Sequence, residues 1–179
     1  MAAAGCAALS FRRLTEADLP LLHEWLQREH VRRWWRDTAT LEETKAYYGP
    51  ALRGEEPTDH YVIVVDGRDA GMIETYLCSD YPEWEAVVEV GPGVAGVDLL
   101  LGEPELTGRG IGPRVLRAFV TDVVFAGADT HACVAAVEEQ NRRSLRAFEK
   151  AGFRHVRDVE EDGRPHRLMR LERRATEPG

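Results

Sequence analysis

Thr107-Gly108-Arg109-Gly110-Ile111-Gly112-Pro113 joins an apolar strand, Val94–Leu101, to a long amphipathic helix. Val115, Leu116, Phe119, Val120, Val123 and Val124 fall on one face of that helix. A strand that turns through glycines into a helix brings backbone N–H groups together at a helix N-terminus, where orphan amides and the dipole favour anions such as phosphate. Two phosphate-binding arrangements are excluded. No Lys-Ser/Thr follows the glycines, as a P-loop requires, and no G-x-G-x-x-G with a ribose-binding acid about 20 residues on is present. Alone, the turn reads equally well as purely structural.

The rest of the chain frames this turn. Leu9–Leu14 reads as a strand. Thr15 with Asp18, and Thr40 with Glu43, form capping boxes that open two helices. Tyr61–Val65 and Ala70–Leu77 read as a hairpin around Asp66-Gly67-Arg68-Asp69. His131–Val137 is a short strand, Arg142–Ala151 a helix closed by Gly152, and Phe153–Val159 with His166–Leu171 a last hairpin around Asp162-Gly163. Strands alternate with helices only in the second half, which predicts an α+β fold with a mixed sheet. One domain over residues 8–174 is expected, with a disordered N-terminus at 1–7 and a frayed C-terminus at 175–179.

Charge is distributed unevenly. The net charge of −8 argues against general nucleic-acid binding. Residues 42–105 carry a local net of −12, the remainder carries +4, and no Lys or Arg occurs from Asp69 to Gly108. A solvated acidic surface explains this as readily as a cationic ligand does. The three cysteines lack metal-ligand spacing, and their odd number suits a reducing compartment. The six histidines show no ligand spacing either and read as surface or satisfied residues, so no metal is expected. The start lacks the charge and the apolar run of a signal peptide, and no stretch is long enough to span a bilayer. A cytoplasmic protein without a membrane partner is expected.

A second motif lies about 30 residues beyond the turn: Asn141, Ser144, Gly152 and Phe153 in Asn141-Arg-Arg-Ser-Leu-Arg-Ala-Phe148-Glu-Lys-Ala-Gly-Phe. Together with Gly110-Ile111-Gly112, this pattern resembles the GNAT family of acetyl-CoA-dependent N-acetyltransferases, with Thr107 in the slot that family fills with Arg or Gln. The order of elements agrees over residues 9–172. The resemblance implies a three-layer fold whose central mixed sheet has splayed strands flanked by helices. It also implies acetyl-CoA as cofactor: Gly108, Gly110, Gly112 and Pro113 in the pyrophosphate turn, Arg109 and Arg114 as phosphate partners, Asn141 on the pantetheine arm, and Leu100 and Leu101 in the wall of the splay.

Trp34-Trp35, Tyr48-Gly49-Pro50, Glu56 and Gly93-Val94-Ala95-Gly96-Val97-Asp98 narrow the likeness to the aminoglycoside 6′-N-acetyltransferases. That resemblance implies Asp98 as catalytic carboxylate. It sets Trp35, Tyr48, Glu56, Glu74, Tyr76, Trp84, Glu85, Asp98 and Asp162 around the antibiotic. A polycation rich in hydroxyls suits carboxylates and aromatic walls. An ammonium must lose its proton before it attacks a thioester, and Asp98 can take it. Backbone N–H groups near Leu100 can face the developing oxyanion.

Each of these residues has a plainer reading. Asp98 can cap a strand end, Trp34-Trp35 and the two tyrosines can be core, Glu74 can face water, and Arg142, Arg143 and Arg146 can be a solvated helix face. Phe148 stands where many relatives carry a Tyr that protonates the leaving thiolate, and Leu99 where close relatives carry a polar residue. The expected function is acetyl transfer to a primary amine of a cationic small molecule, the 6′-amine of an aminoglycoside, by a monomer or homodimer. Rival readings are a siderophore-pathway hydroxylamine acyltransferase, a protein or peptide acetyltransferase, and a non-catalytic acyl-CoA-binding module.

Overall fold

The computed structural model describes residues 7–36 and 38–174. The two expected disordered ends therefore lie almost wholly outside the described residues. Seven strands hydrogen-bond in the order β1-β2-β3-β4-β5-β7-β6: β1 Leu9–Arg13, β2 Thr58–Val65, β3 Arg68–Leu77, β4 Val94–Leu101, β5 Ala132–Glu138, β6 Arg154–Glu161 and β7 Arg164–Glu172. β4 and β5 run parallel, while β1–β2, β5–β7 and β6–β7 are antiparallel. The sheet is mixed, as the alternation of elements predicts. The helices are α1 Leu19–Gln27, α2 Glu29–Arg32, α3 Leu41–Leu52, α4 Pro82–Val88, α5 Ile111–Phe119 and α6 Arg142–Ala151. None of the described helices is long and apolar enough to cross a membrane.

The chain packs as two compact units. One comprises the chain up to Glu74 with Leu99–Arg109; the other comprises Thr75–Asp98 and the chain from Gly110 onward. In the first unit α3 starts at the predicted capping box: Thr40 Oγ1 accepts from the Glu43 N–H and Glu43 reaches back to the Thr40 N–H. Leu22, Trp25 and Leu26 of α1 join Tyr48, Val62, Met72 and Leu100 in the core of this unit. A five-residue loop after α3 carries Arg53–Glu55 ion pairing on its surface.

In the second unit Cys78, Val88, Val94, Ala132, Val134 and Leu168 form the core, with Tyr76 and Trp84 packed on it. Helix α6 closes at Gly152, in the left-handed conformation, as expected. The β6–β7 turn falls at Asp162-Gly163, both with positive φ. Two short helices were not predicted. α4 is seven residues long and begins at a proline, and α2 has four residues; neither is long enough to show a 3.6-residue period. The expected face of the helix after the glycine turn also changes at its end. The backbone widens into a π-turn over Val120–Val124, so Val124 stays buried while Val123 is only half-buried.

Candidate active site

The centre of the site in the second unit is a cross-strand lock between β3 and β4. Thr75 Oγ1 donates to the Gly96 carbonyl at 2.9 Å. The Tyr76 ring lies directly on Gly96, where a Cβ would come within 2.4 Å of the ring. No side chain larger than hydrogen fits there. The tyrosine is thereby aimed along β4, and its Oη stands 3.5 Å from Asp98 Oδ2. Tyr81 meets the Tyr76 ring edge-on, with centroids 5.4 Å apart. Tyr76 and Asp98, both expected at the site, are brought together. Tyr81 and Thr75, which position them, were not singled out from the sequence. The Tyr-x₄-Tyr spacing alone carries no signal.

Asp98 sits where β4 leaves β5. The parallel ladder runs from Val94↔Ala132 to Gly96↔Val134 and pairs no residue of β4 beyond Gly96. The last residue of β4 paired with β5, Gly96, stands two residues before Asp98. Two carboxylates act on the same buried thiol. Cys78 is pushed up to about 12 by burial first, then by the charges of Glu85 and Asp98. Cys133 is raised well above the usual thiol range by burial, by Cys78 and by Asp98. Among the described residues no group of three His, Cys, Asp or Glu side chains converges as a metal site.

Trp84 and Glu85 lie on α4. Glu85 Oε1 accepts from the Gly91 N–H at 2.7 Å, and its Oε2 is buried without a partner among the described residues, as is Trp84 Nε1. Glu85 borders a shallow depression with Ser79, Pro82 and Pro92, which neither Tyr76 nor Asp98 lines. Asp162 is exposed at the tip of the β6–β7 hairpin.

The glycine turn enters α5 through residues with positive φ. Gly110 is the residue before α5 and has φ +76°, which a side chain would disfavour, and no side chain caps the first turn. Cβ atoms on Gly108 or Gly110 would meet nothing within 4 Å, so the outer face of the loop is open. A Cβ on Gly112 would lie in ordinary contact with the Ala147 methyl of α6, at 3.6 Å. Arg114 is half-buried in that turn and Arg109 is exposed. Pro113 has no N–H to give and is buried in the first turn of α5. Asn141 Oδ1 accepts the Ser144 N–H at 3.2 Å and so caps α6. Phe148 is 2% exposed and packs edge-on against Phe153, at 5.0 Å. It is a core residue with no proton to donate.

The remaining expected residues belong to the first unit. Trp35 is half-buried against its core, and Glu56 is exposed in the loop before β2. Tyr48 is 1% exposed; it is core, not an open wall. Glu74 does not simply face water, because its carboxylate is bound to His60. Leu100 is buried and Leu101 half-buried. The end of β4 is pinned. His30 Nε2 donates to the Leu101 carbonyl at 2.8 Å, Arg28 to the Gly102 carbonyl and to Glu103 at 2.7 Å, and Trp25 Nε1 to Glu103 at 3.1 Å. Arg28, with a smaller contribution from Trp25, holds Glu103 below the usual carboxylate range against the effect of burial. Thr107 Oγ1 donates to the Pro104 carbonyl, at 2.6 Å, and so shapes the loop rather than reaching outward.

Residues 15–161 match the acetyltransferase (GNAT) domain model. The chain is similar to the aminoglycoside N(6′)-acetyltransferase type 1 of Klebsiella pneumoniae and to that of Serratia marcescens. Each is 31% identical over 151 residues, which are 82% of this chain and 74% of the relative. Among solved structures it resembles aminoglycoside acetyltransferase AAC(6′)-Ib in complex with coenzyme A (TM-score 0.84, 29% identity, 93% of this chain and 95% of that one). It also resembles AAC(6′)-Ib with ribostamycin and coenzyme A (TM-score 0.85, 28% identity, 93% and 94%). With a family match across most of its length and curated relatives above 30% identity, the chain belongs to the GNAT acetyltransferases.

Proposed function

We propose that this enzyme transfers the acetyl group of acetyl-CoA to the 6′-amine of an aminoglycoside, and that residues 8–174 form one catalytic domain. The match over residues 15–161 runs through both compact units. The observation that carries the chemistry is the carboxylate of Asp98 at the point where β4 parts from β5, beside a tyrosine aimed at it.

Acetyl-CoA, when bound, supplies the acyl group as a thioester. The uncapped first turn of α5, the open loop at Gly108 and Gly110, and the basic side chains of Arg109 and Arg114 suit its phosphates. Asn141 and the stretch of β4 beyond its ladder with β5 suit its pantetheine arm. Asp98 Oδ accepts a proton from the substrate ammonium and keeps the resulting amine in place. Tyr76 Oη steers that carboxylate. Backbone N–H groups at Leu100 and Leu101, on a strand end anchored by His30, Arg28 and Glu103, face the developing oxyanion. Phe148 donates nothing, so the proton on Asp98 or one from water goes to the leaving sulfur. Trp35, Trp84, Glu56, Glu74, Glu85 and Asp162 contribute aromatic surface and negative charge for a polycation. Tyr48 supports this wall from within the core.

A panel of aminoglycosides with acetyl-CoA, read by release of free thiol and by mass spectrometry of the product, tests the reading. One acetyl group on the 6′-nitrogen is expected. Thiol release with a hydroxylysine substrate but with no aminoglycoside would overturn it in favour of the hydroxylamine acyltransferase. Binding of acetyl-CoA without transfer to any amine would favour the non-catalytic module.

A further inference from the structure

His60 is an ionisable side chain inside the first unit, and nothing in the chemistry above uses it. It lies on β2, two residues before Val62 and on the same face, and Val62 is core. Tyr48 meets its imidazole edge-on at 5.3 Å. Glu74 Oε2 stands 2.7 Å from His60 Nε2, with side-chain exposures of 5% for His60 and 16% for Glu74. Along β3 the face that holds Glu74 also holds Met72, which is core, and Tyr76. A polar pair set into an apolar wall is costly to desolvate and adds little stability, and well-packed apolar residues there serve stability as well or better. Its presence asks for a use.

The geometry also says which form the pair takes. A neutral imidazole with its proton on Nε2 donates to Glu74 and leaves Nδ1 as a bare acceptor. An imidazolium would carry a second N–H on Nδ1, and Nδ1 is buried with no partner among the described residues. An unsatisfied buried donor is the costlier choice. The proton therefore sits on Nε2, the pair keeps one negative charge, and that charge belongs to Glu74. With Oε2 bound to His60, Oε1 is the acceptor left to turn outward.

We propose that His60 is a positioning residue for substrate binding: it clamps Glu74 so that the second carboxylate oxygen is presented, charged and oriented, to an ammonium group of the polycation. The proposal rests on the aminoglycoside reading. A pre-oriented charge strengthens capture of the substrate and does little for proton transfer at Asp98.

Steady-state kinetics with kanamycin at saturating acetyl-CoA test it, on wild type, His60→Ala, His60→Gln, Glu74→Gln and the double variant. Losing the clamp or the charge is expected to raise KM for kanamycin about tenfold, with a far smaller change in kcat and none in KM for acetyl-CoA. His60→Gln, whose amide N–H can take the place of Nε2–H, should recover most of the loss. The double variant should be no worse than Glu74→Gln alone, because both act through one carboxylate. Variants with the wild-type KM, or a loss that falls equally on kcat and is not recovered by Gln, overturn the proposal while the substrate reading stands. A wild-type enzyme that acetylates no aminoglycoside removes both. If His60→Ala does not fold, nitrogen NMR of the wild-type imidazoles decides. The Nε2–H tautomer at His60, altered in Glu74→Gln, supports the clamp, and an Nδ1–H tautomer or an imidazolium ends it.

Discussion

Glu74 and Glu85 are both half-buried acids in the same stretch free of Lys and Arg, yet they are held in different ways. In the first unit acids are matched by protein cations or by imidazole: Glu74 by His60, Asp18 and Asp69 by Arg12, Glu103 by Arg28. In the second unit Glu85 is held only by a backbone N–H, and its field joins that of Asp98 in raising the Cys78 thiol. Matched charges orient side chains. A carboxylate held only by a backbone N–H keeps a negative potential that attracts a cation. Within the acid window one half-buried acid is thus held by a side chain and the other by the backbone.

The contrast breaks most visibly at Asp98. Asp98→Asn should lower kcat by about 100-fold or more while acetyl-CoA binding, followed by calorimetry, is unchanged; equal turnover would take Asp98 out of the chemistry. Next comes the lock that aims Tyr76. Gly96→Ala should destabilise the protein by about 1–3 kcal/mol, seen as a lowered Tm, because its Cβ would lie within 2.4 Å of the Tyr76 ring. Adding Tyr76→Ala should relieve part of that loss.

The matched side predicts a smaller, pH-dependent effect. The hydrogen bonds of Arg12 hold Asp18 at about 2, against the effect of burial. A carboxyl lowered on folding contributes stability that is complete above its ordinary value and disappears as the pH falls through about 2. Asp18→Asn should therefore cost about 1 kcal/mol at pH 7 and almost nothing near pH 2, by denaturant titration. The smallest effect is on the thiols. With Cys78 and Cys133 buried and raised chiefly by burial, alkylation of the native enzyme at pH 8 should leave both unmodified, by peptide mass spectrometry. Glu85→Gln should not change that, since removing one charge leaves the burial in place.

Much of this was legible residue by residue. Thr40-x-x-Glu43 states a helix start in its own hydrogen bonds, and Asp162-Gly163 states a turn in its backbone preferences. Gly110 announces a left-handed entry to α5. The His60–Glu74 pair was not legible. Its members are on different strands, and which residues of two strands meet depends on register. For the same reason, reading the histidines as surface or satisfied residues is silent on the partner of His60. Tyr48 looked equally able to line a site or to fill a core, and only its packing against His60 settles that.

The sequence by itself determined the strands and the longer helices, the glycine turn, the family and the place of Asp98 within an apolar strand. These follow from local preferences and short-range spacing. The tertiary structure alone decided where β4 leaves β5, that Tyr76 rests on Gly96 and reaches toward Asp98, and that one acid is clamped by a histidine while another is not. Those outcomes depend on strand register and on burial, which arise only when residues distant in the chain compete for the same space.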